Sequence, residues 1–233
     1  MGAHRPRQGA QSRGEVSVAR RPYQFYGRRK GRGLRRHHLQ LIDEQLPQLR
    51  IDLADPLRGT YAPRWLEVGF GGGEHLAHQA ELHRETSMIG AEPFVNGVAK
   101  LLAAIETKQL TNVRIHDGDV RDLLEVLPDA SFERVYLLYP DPWPKARHNR
   151  RRFVSPETLT AFRRILAPGG LFLFASDIAD YVEWTRTHVA AHGGFQTVSD
   201  SAEHFENWIE TRYEAKAKRE GCASAYLTFK RLG

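Results

Sequence analysis

Three acidic residues each follow a short apolar run, and their spacing predicts one binding pocket. Glu67 lies in the glycine-rich stretch LEVGFGGG, Glu92 follows the run MIGA, and Asp119 closes the tripeptide DGD after VRIH. If these runs are parallel strands, their carboxyl ends meet at one edge of the sheet, where nucleotide-type ligands bind. A carboxylate at Glu92 suits two vicinal ribose hydroxyls, and one at Asp119 suits an adenine amino group. The alternative for each of these two is a helix N-cap.

The glycine-rich stretch indicates which nucleotide-type cofactor fits. Gly69 and Gly71 let the backbone turn sharply and let a ligand lie close against it. Nicotinamide, flavin and S-adenosylmethionine enzymes share such a loop, but a dinucleotide fingerprint has a third small residue where this chain has Glu74. Glu67 would repel a pyrophosphate and attract a cationic sulfonium amino acid. The residues therefore favour S-adenosylmethionine, and the alternative is a tight turn that binds no ligand.

A second segment carries residue types suited to chemistry on a nucleobase. The fourth apolar run ends in YPDPWPKARHNRRR, where prolines flank Asp141 and Trp143 and stiffen the loop. An acid beside an aromatic platform suits a purine that stacks on Trp143 and forms a hydrogen bond with Asp141. Five cations follow, and we expect them to hold the flanking phosphates: Lys145, Arg147, Arg150, Arg151 and Arg152. The alternative is a solvated basic loop with a structural tryptophan.

Strands and helices alternate from Arg64 onward, which predicts the elements that position these residues. Strands are predicted over 65–70, 88–91, 113–116, 134–139 and 171–175, with helices over 74–84, 94–108, 120–127, 156–166 and 180–191. Two late extended runs, 195–198 and 225–231, are expected to complete the sheet as an antiparallel edge pair. The predicted fold class is α/β, with a mostly parallel, seven-stranded, Rossmann-like sheet and helices on both faces.

Charge is unevenly distributed along the chain. Residues 1–38 hold 11 Lys/Arg and one acid, whereas the rest of the chain holds 23 basic and 27 acidic residues. This contrast predicts a basic, disordered N-terminal arm over 1–38 and a single domain over 39–233. The arm either meets phosphates or only solubilises the chain.

Composition also limits the class of protein. A single cysteine, Cys222, excludes an intramolecular disulfide, and the histidine pairs lack a third ligand at useful spacing, so no metal site is predicted. The sequence has no apolar run of membrane-spanning length and no secretory signal, which predicts a soluble, cytoplasmic protein without membrane association. A monomer and a homodimer are both compatible with the sequence, and no obligate protein partner is evident.

Three motifs form a recognisable set: LEVGFGGG, PDPWPK with the arginines after it, and the run TRYE followed by Lys216 and Gly221. From about Arg64 to its end, the chain thereby resembles the bacterial tRNA (guanine-N7)-methyltransferase family. The resemblance implies a class I S-adenosylmethionine-dependent methyltransferase sheet. It also implies methylation of guanine-46 in the tRNA variable loop to 7-methylguanosine, with S-adenosyl-L-homocysteine as coproduct.

The resemblance also assigns residues to the site. Four positions match the family's cofactor residues: Glu67, Glu92, Asp119 and Asp141. Further positions match its substrate contacts: Lys145, Asp177, Thr211, Arg212, Tyr213 and Glu214. Ala146 and Asn149 depart from the Lys and His that the family more often has, which affects only phosphate contact at those two positions.

Guanine N7 carries an in-plane lone pair and no proton, so its methylation needs no obligatory base. Catalysis is then expected mainly from positioning and from stabilisation of the purine as it becomes cationic. Asp141 is the candidate catalytic residue for this role, and organising the cofactor is an equal alternative. The competing functions are an exocyclic-amine methyltransferase acting on another RNA or DNA, a nicotinamide-dependent oxidoreductase and a non-catalytic RNA-binding protein.

Overall fold

A computed structural model of the protein describes residues 26–27 and 29–233. Residues 1–25 and 28 lie outside the described residues, so the disorder of that part of the arm stays a prediction, as does the division of the chain into arm and domain. The first helix begins at Arg36, and the backbone just before it forms hydrogen bonds with the body of the protein.

One sheet organises the described chain. Its strands are β1 (Arg64–Val68), β2 (Ser87–Ala91), β3 (Val113–His116), β4 (Phe132–Leu138), β5 (Leu166–Ser176), β6 (Phe195–Ser201) and β7 (Ala225–Arg231). The order is β3-β2-β1-β4-β5-β7-β6, with β1 to β5 parallel and β7 antiparallel to both of its neighbours. The predicted seven-stranded, mostly parallel sheet with a late antiparallel pair is confirmed.

Helices cover both faces of the sheet. They are α1 (Arg36–Glu44), α2 (Leu46–Leu49), α3 (Glu74–Leu82), α4 (Val95–Lys108), α5 (Val120–Val126), α6 (Pro156–Ile165), α7 (Ala179–His192) and α8 (Arg212–Arg219). One apolar core lies between the sheet and α5, α6 and α7, and a second lies between the sheet and α1, α3 and α4. Successive strand residues alternate between the cores, as Leu66 and Trp65 do, because side chains point to opposite faces.

Local signals explain α6 and its boundaries. Ser155 is the N-cap, and a capping box links it to Thr158, with Pro156 in the first turn where its missing N–H is tolerated. The chain then enters β5 directly at Leu166, five residues earlier than the predicted strand. A register irregularity between Phe132 and Arg134 on β4 accommodates this early start.

After β1, two short helical elements were not predicted from the sequence. Helix α8 is strongly polar, and only Glu214 and Ala217 are buried in it, so it lacks the apolar periodicity that identifies a helix. The basic block after β4 forms a 3₁₀ helix, Ala146–Arg151, rather than an irregular loop.

Candidate active site

A cavity of about 1680 Å³ opens at the carboxyl edge of the parallel strands. Pockets for one small molecule usually measure roughly 300–1,000 Å³, so this cavity has room for a nucleotide-type cofactor with a base beside it. Its walls bring together most of the residues predicted for this edge: Gly69, Gly71, Glu92, Asp119, Asp141, Trp143, Arg150, Arg151, Arg152 and Tyr213. Their binding roles stay predictions.

The turn after β1 requires glycine because its backbone adopts positive φ angles. φ is 69° at Gly69 and 56° at Gly71, where a Cβ would be strained. Gly97 of α4 lacks room for a side chain as well, since a Cβ there would lie 1.9 Å from the Gly71 carbonyl oxygen. The loop and the helix are therefore in backbone contact, which fixes the loop beside the cavity.

Glu92 is held by two backbone N–H groups. The Gly71 N–H donates to Oε2 at 2.8 Å, and the Phe94 N–H donates to Oε1 at 2.9 Å. Burial raises the pKa of this carboxyl, although both N–H donors favour its charged form. The N-cap of α4 is Phe94, so Glu92 is not the capping residue. Each oxygen retains acceptor capacity, and the fixed carboxylate fits a pair of vicinal hydroxyls.

Asp119 is a helix cap that also lies at the cavity. It is the N-cap of α5, accepting a hydrogen bond from the Arg121 N–H at 3.0 Å, and it also lines the cavity. Partial burial acts to raise the pKa of Asp119, but the hydrogen bonds and charge of Arg121 outweigh burial and hold that pKa below its usual value. An adenine amino group would share this carboxylate with the Arg121 side chain, whose Nε lies 2.9 Å from Oδ1.

Glu67 is a residue of β1 and is not among the residues that line the cavity. Its carboxylate is buried, and Oε2 lies 2.7 Å from Nδ1 of the buried His75. The His75 ring also packs against Tyr136 and Trp208. The structure thus pairs Glu67 with a histidine that the sequence did not single out for this role, and direct cofactor contact by Glu67 stays a prediction.

The loop after β4 turns through two residues with positive φ, 49° at Tyr139 and 44° at Trp143. Such backbone strain in non-glycine residues is common at functional sites. The Tyr139 N–H donates to the Ala175 carbonyl at 2.7 Å, and the Tyr139 hydroxyl donates to Ser224 Oγ at 3.0 Å. This anchored turn leads directly to Asp141, which is exposed at the cavity wall.

The basic block is divided by its position relative to the cavity. Arg150 and Arg151 belong to the cavity wall, whereas Lys145 and Arg147 are exposed and lie outside it. Phosphate contact by these four residues stays a prediction.

Arg152 is the last cation of the basic block. Its side chain is fully buried, its Nε donates to the Pro142 carbonyl at 2.9 Å, and its guanidinium forms an ion pair with Asp180. The guanidinium also lies over the rings of Tyr181 and Trp184. The buried and paired guanidinium fastens the loop to α7, and phosphate contact by Arg152 stays a prediction.

Two residues of the C-terminal run TRYE order the start of α8. Thr211 is the N-cap and accepts a hydrogen bond from the Glu214 N–H at 3.2 Å. The Glu214 carboxylate is buried, accepts a hydrogen bond from Trp208 Nε1 at 2.6 Å, and lies 2.7 Å from His204 Nε2. Asp177 directly follows β5, is half-buried, and is not brought into the cavity wall.

The other two residues of the run cover the glycine-rich loop. Arg212 forms an ion pair with Glu74, the first residue of α3. Tyr213 lines the cavity, and its ring lies so close to Gly71 that a Cβ there would be 3.0 Å from Cε2. The Tyr213 and Tyr139 rings are nearly parallel, at 17°, with centroids 6.4 Å apart. The run therefore joins the cofactor side of the cavity to the loop after β4.

Several cavity residues were not predicted from the sequence, among them Tyr26, Phe94 and Tyr139. Tyr26 belongs to the predicted arm, so nothing in its local sequence placed it against the loop after β4. Tyr139 was assigned to a strand, and its positive φ has no sequence signal because glycine is absent there.

Neither a metal site nor a membrane-spanning helix is found among the described residues. Within residues 26–27 and 29–233, no group of three or more His, Cys, Asp or Glu residues is arranged to hold a metal ion. No helix in the same residues is both long and apolar enough to cross a membrane.

The chain is similar in sequence to known proteins. A family model described as "Putative methyltransferase" matches residues 61–226. A tRNA (guanine-N(7)-)-methyltransferase from Agrobacterium fabrum is 52% identical over 217 residues, covering 88% of this chain and 94% of the relative. One from Rhizobium meliloti is 47% identical over 229 residues, covering 93% and 99%. The chain belongs to the tRNA (guanine-N(7)-)-methyltransferase family. The resemblance seen in the sequence motifs is thereby confirmed.

Solved structures agree with the fold of this family member. A 16S rRNA methyltransferase, KamB, superposes with a TM-score of 0.55 at 19% identity, covering 76% of this chain and 91% of KamB. A variant of the 16S rRNA (adenine(1408)-N(1))-methyltransferase from Catenulisporales acidiphilia, solved with its cosubstrate SAM, superposes with a TM-score of 0.54 at 16% identity, covering 78% and 92%. At these identities the likeness concerns the fold alone, which is the Rossmann-like class I methyltransferase fold.

Proposed function

We propose that the protein transfers the methyl group of S-adenosyl-L-methionine to N7 of guanine-46 in the variable loop of tRNA. The products are 7-methylguanosine and S-adenosyl-L-homocysteine. The observation that carries the proposal is that Glu92 and Asp119 share one cavity with Asp141 and Trp143. The relatives named above act on N7 of guanine in tRNA, as their names state, which supports the choice of acceptor atom.

The residues present fit this cofactor. Glu92 offers a fixed carboxylate to the ribose hydroxyls, and Asp119 offers one to the adenine amino group. Gly69 and Gly71 allow close approach of the methionine portion to the backbone. Glu67 is buried in β1 and paired with His75, and a carboxylate at this end of the strand favours a cationic sulfonium over a pyrophosphate beside the loop. When bound, S-adenosyl-L-methionine supplies an electrophilic methyl group.

The loop after β4 positions the guanine for attack through the N7 lone pair. Trp143 provides an aromatic face for stacking, and Asp141 lies in the same wall, where a carboxylate stabilises the positive charge that grows on the purine. N7 carries no proton, so no side chain has to remove one. Rate enhancement then depends on how rigidly the loop is held, and the Arg152 ion pair with Asp180 provides that rigidity.

The positive charge around the cavity is complementary to the negative charge of tRNA. Arg150 and Arg151 in the wall, with Lys145 and Arg147 outside it, form a surface for the phosphates that flank the acceptor nucleotide. The basic residues of the arm add non-specific electrostatic attraction for tRNA phosphates. We expect the enzyme to act in the cytoplasm, as a monomer or a homodimer.

Methyl transfer from labelled S-adenosyl-L-methionine to unmodified tRNA tests the proposal. Nuclease digestion followed by nucleoside analysis should place the label in 7-methylguanosine, and a transcript with adenosine at position 46 should accept none. Label in an exocyclic-amine product would instead support the competing methyltransferase function. Absence of transfer to tRNA would refute the proposal.

A further inference from the structure

One residue of the predicted arm, Tyr26, contacts the loop after β4 at the cavity. Tyr26 lies in the same wall as Asp141 and Trp143. The Tyr26 and Trp143 rings meet edge to face, with centroids 5.9 Å apart and planes at 73°. The Arg151 Cζ lies 4.5 Å from the Tyr26 ring centroid and 4.9 Å from that of Trp143, both within the range of cation–π attraction. The guanidinium is therefore held between an arm residue and a loop residue.

The Arg151 side chain also carries a donor in need of an acceptor. Its Nε is buried and has no hydrogen-bond partner in the described part of the chain. Leaving a buried N–H group without an acceptor is unfavourable, so such groups in folded proteins call for an explanation such as a ligand. Arg151 as a whole is only partly buried and lines the cavity, so the rest of its guanidinium, and not the buried Nε, is what a bound molecule can contact.

The backbone after Tyr26 is fastened to the start of α4. The Val95 N–H donates to the Arg29 carbonyl at 3.1 Å, and the Gly31 N–H donates to Asn96 Oδ1 at 2.8 Å. Asn96 Nδ2 donates in turn to the Arg32 carbonyl at 2.7 Å. This strap, residues 29–32, runs beside the cofactor edge of the cavity. It limits where Tyr26 can lie, independently of what precedes Tyr26 in the chain.

We propose that Tyr26 is a substrate-positioning residue, which with Trp143 holds Arg151 so that its guanidinium binds a phosphate oxygen of the acceptor nucleotide. The inference rests on the proposed function, because it takes a tRNA guanosine as the acceptor. Arginine usually reads guanine through O6 and N7 together, but here N7 is the reacting atom and must stay free. A phosphate oxygen can accept from the guanidinium without blocking N7, and charged donors favour such an acceptor.

The test compares the binding of unmodified tRNA by Tyr26→Ala, Tyr26→Phe, Arg151→Ala and the Tyr26→Ala/Arg151→Ala double variant across a series of salt concentrations. Loss of the cation–π contact should weaken tRNA binding about threefold to thirtyfold in Tyr26→Ala, whereas Tyr26→Phe keeps an aromatic face and should bind within about twofold of wild type. Arg151→Ala should lower the slope of log K against log salt by about 1.

The double variant separates positioning from a direct role. If Tyr26 acts through Arg151, the double variant should bind tRNA no more weakly than Arg151→Ala alone. Asn96→Ala, which releases the strap, should reproduce the loss in Tyr26→Ala and increase trypsin cleavage at residues 29–32. Tyr61→Ala serves as the matched control, since its ring is 43% exposed and precedes β1, at the amino edge of the sheet. Its tRNA affinity should equal that of wild type.

Two results would overturn the inference: wild-type tRNA affinity in Tyr26→Ala, or losses in Tyr26→Ala and Arg151→Ala that add in the double variant. Thermal melting of each variant checks that the fold is retained. The proposed function is tested separately by wild-type methyl transfer, so a protein that methylates guanine N7 and tolerates Tyr26→Ala contradicts this inference alone. A wild-type protein that binds tRNA but methylates another atom contradicts the function alone.

Discussion

Replacing Glu92 by glutamine tests the cofactor half of the site with the smallest change in shape. Both carboxylate oxygens accept backbone N–H groups, from Gly71 at 2.8 Å and from Phe94 at 2.9 Å, and each has capacity for one ribose hydroxyl. An amide has a single acceptor oxygen, so one hydroxyl loses a hydrogen bond to a charged group. Such a bond contributes roughly 1.5–3 kcal/mol. The dissociation constant for S-adenosyl-L-methionine should therefore rise about 10-fold to 150-fold.

Stability should respond much less than cofactor affinity. Burial raises the pKa of Glu92, which means that the folded protein already disfavours the charged carboxylate. Removing the charge relieves this desolvation and offsets part of the hydrogen bonding that the backbone N–H groups lose. Thermal melting of the cofactor-free variant should accordingly stay close to that of wild type.

Calorimetric titration with S-adenosyl-L-methionine and with S-adenosyl-L-homocysteine measures the effect directly. Glu106→Gln is the matched control, because Glu106 lies near the end of α4 with an exposed side chain paired to His37. A Glu92→Gln protein that binds both compounds within twofold of wild type would refute the placement of the ribose at Glu92. Equal losses in Glu92→Gln and Glu106→Gln would attribute the effect to net charge instead.

Three further expectations follow from the same contacts. Asp141→Asn should lower kcat by up to about 10³-fold, since a carboxylate about 4 Å from a developing cation contributes roughly 1–4 kcal/mol. A lower single-turnover rate with unchanged cofactor affinity would verify this. Cofactor affinity should fall as pH drops through the raised pKa of Glu92, above the usual value near 4.5, and titrations across pH should show no such step in Glu92→Gln. Without cofactor, the free energy of unfolding responds to pH in the opposite direction. The stability that a raised carboxyl pKa contributes is lost as pH rises through that pKa. Arg152→Ala should lower the free energy of unfolding by about 2 kcal/mol or more in denaturant titrations, because the Pro142 carbonyl loses a charged donor inside the protein.

Much of the fold could be predicted because the strands are short, apolar and regularly separated. The carboxyl ends of β1, β2 and β3 lie where the acidic residues indicated, and Glu92 and Asp119 do share a cavity. The start of α6 was also predictable, since Ser155 and Pro156 are strong local signals. These features depend on residues close together in the chain.

The features that could not be predicted depend on residues far apart in the chain. Five cations in eight positions have similar sequence surroundings, yet Arg152 is buried because Asp180, on another helix, lies opposite it. Glu67 lies in a strand that is buried on both faces, and its carboxylate pairs with His75 of α3 rather than lining the cavity. Tyr26 reaches Trp143 only because residues 29–32 are fastened to α4. Such packing has no periodicity that a sequence could display.

The loop after β4 and the edge at Glu92 should respond differently to mutation because they perform different tasks. Methylation at N7 involves no proton transfer by the enzyme, so the loop contributes geometry and charge, and its strained residues Tyr139 and Trp143 need a rigid anchor. Loosening that anchor through Arg152 should lower kcat together with stability. In the proposed complex Glu92 binds the ribose and not the reacting atoms, so its loss should change cofactor affinity and leave the saturated rate nearly intact. If Arg152→Ala changed only cofactor affinity and Glu92→Gln lowered only kcat, the roles of the loop and of Glu92 would be the reverse of those proposed.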